Sequence, residues 1–137
     1  MRKEKLVPFN TLLGLTPRVI HVNEHENEIE IQTECGRLFK LLHEQDCCES
    51  VYIESVVGDW TDLIGNPILL AEDSSREGSE KESPRCEDGF YYEGSSTWTF
   101  YKLATIKGYV DIRWYGESNG YYSESVDLVE ILPEENK

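Results

Sequence analysis

The stretch from Ser96 to Val126, STWTFYKLATIKGYVDIRWYGESNGYYSESV, restricts the possible folds of this chain more than any other segment. Threonine, tryptophan, phenylalanine, tyrosine, valine and isoleucine fill it, and these residue types favour a pleated, half-buried surface. Lys107-Gly108 and Asn119-Gly120 punctuate it as tight hairpin turns do. It reads as an antiparallel meander of three strands, Thr97–Ile106, Tyr109–Tyr115 and Tyr121–Ile131. In the first, Trp98, Phe100, Lys102, Ala104 and Ile106 share one face, and Thr97, Thr99, Tyr101, Leu103 and Thr105 the other.

The upstream half repeats the signal in weaker form. Residues 1–8 read as a mobile or edge segment ending at Pro8, and Phe9–Leu15 is short and apolar. Arg18–Val22 reads as a strand, Asn23–Asn27 as a polar turn, and Glu28–Thr33 alternates polar and apolar as a half-buried strand does. Cys35-Gly36 turns the chain into a returning strand, Arg37–His43. Val51–Val57 is β-branched and reads as another strand. Asp59–Ile64 fits one helical turn with Asp59 as its N-cap, and Ile68–Ala71 is a short apolar strand. Residues 72–94 are rich in Glu, Ser and Gly and read as a long acidic, flexible loop. The expected fold is mainly β: an antiparallel meander curling into a half-barrel or a two-sheet sandwich, with at most one or two short helical turns, as one domain over 1–137.

Charge narrows the function classes. With 13 basic and 27 acidic residues the chain carries a formal charge of −14, which repels nucleic acid and suits a basic protein surface. No apolar run approaches the roughly 20 residues that span a bilayer. The basic N-terminal segment lacks the apolar region of a signal peptide, so a cytoplasmic location is expected. The four cysteines, Cys35, Cys47, Cys48 and Cys86, are expected to be reduced there.

Two stretches concentrate chemistry. In His43-Glu-Gln-Asp-Cys-Cys-Glu49, His43 and Cys47 have the spacing of a helical zinc pair, but no second pair accompanies them. A Cys–His nucleophile couple is a second reading. The bland one fills a core gap with Cys47 or Cys48 and ties the connection through His43 and Asp46; the remaining reading is a pocket in which His43, Asp46, Cys47, Cys48 and Glu49 bind a ligand or partner. The second stretch sets Arg113, Trp114 and Tyr115 beside Ser118, Asn119, Tyr121 and Tyr122, and with Trp98 these suit a flat ligand or a protein interface. Sheet packing accounts for the same rings. No phosphate loop, GxSxG, HExxH or calcium loop is present, and no cofactor is expected.

HEQDCCESVYIESVVGDWTDLIGNPILLAED and STWTFYKLATIKGYVDIRWYGESNGYYSESV, taken together, resemble a small domain of unknown function encoded in many tailed-phage and prophage genomes. The resemblance covers residues 9–72 and 95–131. It implies a small non-structural phage protein acting in the host bacterial cytoplasm, a setting in which such proteins often counter host defences; that last step is analogy. The expected function is non-enzymatic binding and inhibition of a host defence protein. One alternative is a sponge that sequesters a nucleotide-derived immune signal; another is a Cys/His-dependent enzyme. A homo-oligomer is compatible with each.

Overall fold

The computed structural model describes residues 3–44, 49–77, 95–118 and 124–132. Two separate antiparallel sheets pack across one core, which makes the fold a sandwich rather than a closed barrel. One sheet has five strands in the order β1 (Lys3–Val7), β9 (Asp127–Leu132), β4 (Leu38–Leu42), β3 (Glu28–Thr33) and β2 (Pro17–Val22). The other has four, in the order β5 (Ser50–Gly58), β8 (Gly108–Ser118), β7 (Ser95–Thr105) and β6 (Leu70–Glu77).

Period-two patterning sets which side faces in. Ile29, Ile31 and Thr33 of β3 are buried while Glu28, Glu30 and Gln32 are only partly so, as expected for a sheet with one wet face. The β2–β3 turn closes on Asn23, whose side-chain oxygen accepts from the backbone N–H of Asn27 at 2.9 Å and of Glu28 at 3.1 Å. Phe39 and Leu41 of β4 meet Leu103 of β7 and Val110, Ile112 and Trp114 of β8 in a single core cluster. A 3-10 turn, Phe9–Leu12, adds two buried apolar side chains to it. A second 3-10 turn, Trp60–Asp62, begins at Asp59, whose carboxylate accepts from the backbone N–H of Thr61 at 3.0 Å. That hydrogen bond holds the Asp59 carboxyl below its ordinary pKa.

Three expectations are revised. The three-stranded meander is a two-stranded hairpin: β7 and β8 pair along their whole length, but β9 leaves for the other sheet and pairs with β1 and β4. From there Val126 and Leu128 reach the shared core. The stretch read as a loop from residue 72 begins as strand, since β6 runs on to Glu77 in unbroken register with β7. The β7–β8 turn is Ile106-Lys107, with Gly108 already paired to Thr105. The Asn119-Gly120 turn lies outside the described residues.

Candidate functional site

The β7–β8 hairpin divides its chemistry between two faces. Trp114, Ile112 and Val110 point into the core. Trp114 is fully buried, and its indole Nε1–H finds no acceptor among the described residues. Trp98, Arg113 and Tyr115 lie on the outer face. Directly paired Trp98 and Tyr115 bring their rings to 4.6 Å between centroids, and Tyr52 of β5 extends the row at 6.0 Å from Tyr115. The guanidinium of Arg113 sits 5.3 Å from the Trp98 ring centre, and that of Arg76 sits 5.8 Å from it. Arg113 also donates to Glu54 at 2.6 Å. The β5–β8 register shifts between Ile53 and Ser55, and the extra residue is Glu54, whose carboxylate meets Arg113. Trp98 is 7% exposed and Tyr115 0%, so these rings offer no stacking platform to a ligand.

A second cluster is buried where β4, β5, β8 and the approach to β9 meet. The His43 and Glu49 side chains are 5% and 0% exposed, and Nε2 of His43 is 3.7 Å from a Glu49 oxygen. Nδ1 of His43 donates to the Ser125 carbonyl at 2.6 Å; a carbonyl only accepts, so the hydrogen is fixed on Nδ1. Next to Ser125, the Glu124 carboxylate accepts three hydroxyl hydrogen bonds, from Ser95, from Thr97 at 2.8 Å and from Ser118. Gly116 makes this approach possible: a Cβ there would lie 3.0 Å from both the Glu124 Cβ and Val51 Cγ2. Tyr101 donates to the Val126 carbonyl at 2.8 Å, which pins the next residues. Its hydroxyl pKa is pushed well up, first by burial and then by the fields of Asp73 and Asp127.

Two grooves open on either side of β6. The outer one, about 420 Å³, is lined by Glu72, Ser74, Phe100, Lys102, Asp111 and Arg113 among others. The inner one, about 500 Å³, is lined chiefly by Asp73, Ser75, Thr97, Thr99, Tyr101 and Glu124. Asp73 and Ser74 border both.

Of the residues singled out in the sequence, Trp98, Arg113 and Tyr115 meet on the outer face, while His43 and Glu49 form a buried pair beside Ser125. Ser118 belongs to the Glu124 cradle and Trp114 to the core. Asp46, Cys47, Cys48, Asn119, Tyr121 and Tyr122 lie outside the described residues. Cys35 is exposed in its turn, with the Thr33 hydroxyl 3.2 Å from its sulfur holding the thiol pKa below its usual value. Sequence reasoning missed Glu54, Glu72, Asp73 and Glu124. For Glu54 a signal existed, because Val51-Tyr-Ile-Glu-Ser-Val56 breaks strict alternation where the bulge sits. Glu124 had none, being one carboxylate among many.

The molecule is thus a two-sheet antiparallel β-sandwich with one internal polar cluster and two acid-lined grooves along a sheet edge. Residues 10–128 match the profile of a domain of unknown function, DUF7448, and the chain belongs to that family. Comparison with curated proteins and with solved structures returns no significant match. Among the described residues, no helix is long and apolar enough to cross a membrane.

Proposed function

We propose that this protein acts by non-enzymatic binding of a basic host protein, which it inhibits by occupying a surface. The observation that carries the reading is the charge balance of the outer groove. Glu72, Asp73 and Asp111 line it against Lys102 and Arg113. Both cations are already answered, Lys102 by Asp111 at 3.9 Å and Arg113 by Glu54 at 2.6 Å. Glu72 and Asp73 are exposed, and neither has an ion pair among the described residues. The field left over is negative and agrees with the −14 of the whole chain. Such a field speeds encounter with a basic partner and suppresses anionic ligands.

The same field disfavours a sponge for a nucleotide-derived signal, and the burial of Trp98 and Tyr115 leaves little ring face to stack on. A Cys/His enzyme needs an accessible imidazole; His43 has Nδ1 committed to Ser125 and Nε2 turned to Glu49. Host inhibition and a phage setting rest on the sequence resemblance alone.

Affinity capture from bacterial lysate tests the reading. A basic protein is expected in stoichiometric amount at low salt and lost at high salt. Its absence at low salt, or unchanged capture by the Glu72→Lys/Asp73→Lys double variant, removes the proposal.

A further inference from the structure

We propose that β6 binds its partner by edge addition: an extended, basic segment pairs with the side of β6 opposite β7 and becomes a fifth strand of the four-stranded sheet. The inference rests on the basic-partner reading above and specifies how that partner docks.

Among the described residues four strands form sheet edges, and they differ in suitability. β5 carries the bulge at Glu54. The β2 register shifts between Pro17 and Val19, and Pro17 has no N–H to offer. β1 is five residues long and alternates Lys3 and Lys5 with Glu4. β6 is paired without a shift from Leu70 to Glu77, and among the described residues β7 is its one neighbour. Among the described residues β6 is an uninterrupted edge with one ladder made, the form to which an extended chain adds.

The grooves supply what the ladder alone lacks. Successive side chains of a strand point to opposite faces, so a strand laid along β6 sends them alternately into the outer and inner grooves. On the outer face, Glu72 and Ser74 of β6 stand beside such side chains, and Phe100 of β7 lies one strand further in, against which a long aliphatic stem can rest. In the inner groove, Glu124 is buried and held by its three hydroxyls, which leaves Asp73, Ser75 and Thr99 to recognise a cationic or hydroxylated side chain. Lysine or arginine alternating with lysine or threonine satisfies both sides. A second copy of this chain fits poorly, because β6 carries Glu72, Asp73 and Glu77 against one Arg76 and would meet the same surplus.

The test uses the full chain and two synthetic peptides of alternating lysine and threonine. One has a normal backbone; the other is N-methylated on alternate residues, so charge is kept and the ladder is blocked. The normal peptide is expected to bind about tenfold or more tighter, and to slow hydrogen exchange at alternate backbone amides within Glu72–Arg76. The Asp73→Lys variant, folded by circular dichroism, should lose that protection. Equal binding of the two peptides, or protection confined to other strands, overturns edge addition while leaving the basic-partner reading in place. So do β6 amides that are all protected in the free protein, or a dimer whose contact protects them. Binding of neither peptide counts against both.

Discussion

Two carboxylates, Glu124 and Asp73, border the same inner groove and have opposite surroundings. Glu124 is 7% exposed and takes hydrogen bonds from Ser95, Thr97 and Ser118. Asp73, on the other wall, is exposed in β6, as is its neighbour Glu72. A buried carboxylate is tolerated only when its lone pairs are met, so Glu124 is part of the architecture and its hydroxyls are placed for it. An exposed carboxylate with no ion pair adds nothing to the fold and is available to a ligand. The difference separates structural charge from charge left for function within a single groove.

Removing Glu124 should give the largest effect. Glu124→Ala leaves three hydroxyls without their acceptor and is expected to cost about 3 kcal/mol of stability by urea denaturation. A loss under about 1 kcal/mol would show that the cradle is not structural and would erase the contrast. His43→Ala comes next, at about 2 kcal/mol, because it strips the buried Glu49 of its imidazole and Ser125 of its donor. A value near zero would mean that water replaces the ring.

A smaller effect belongs to Arg37 and Glu130, which pair bidentately at 2.9 and 2.8 Å at the rim of the core-facing side of the five-stranded sheet, where Glu130 stands opposite Phe39. The hydrogen bonds from Arg37 hold the Glu130 carboxyl below its ordinary value. A depressed carboxyl stabilises the fold above its unfolded pKa, about 4.3, and that contribution is lost as pH falls through the lower folded value. Arg37→Met should therefore flatten acid unfolding below about pH 4, with a loss under about 1 kcal/mol at neutral pH because the pair is partly solvated. Wild-type and variant curves of the same shape in acid would contradict this. The smallest effect is expected for Glu72→Gln/Asp73→Asn, within about 0.5 kcal/mol of wild type or slightly stabilising. If this double variant is instead destabilised by more than about 1 kcal/mol, the two carboxylate sets are alike and the grooves lose their distinction.

Much of the sandwich was legible in the sequence. Glu28–Thr33 was readable because each of its residues obeys the two-residue period, and Asp59 because a cap is a local event. The site was less so. Nothing in the order of residues says that the chain after Ser118 crosses to the opposite sheet, since an antiparallel neighbour and a crossing strand share the same pattern; only the pairing of β9 with β1 and β4 shows it. The β6 extension escaped because Glu72–Glu77 has no apolar residue: it is held by ladder bonds to β7, an interaction that side-chain patterning does not report. Trp98 and Trp114, one strand position out of register with each other, were read as one aromatic patch although they occupy opposite faces.

The place of β9 has a bearing on how the molecule is made. Lys3 of β1 pairs with Leu132, and β4 pairs with the other side of β9. During synthesis, then, β1 and β4 each wait with a bare edge until Leu132 has cleared the ribosome, while the β7–β8 hairpin closes locally. A nascent chain stalled before Asp127 would hold two unpaired edges and an uncovered core, a form prone to aggregation and to proteolysis.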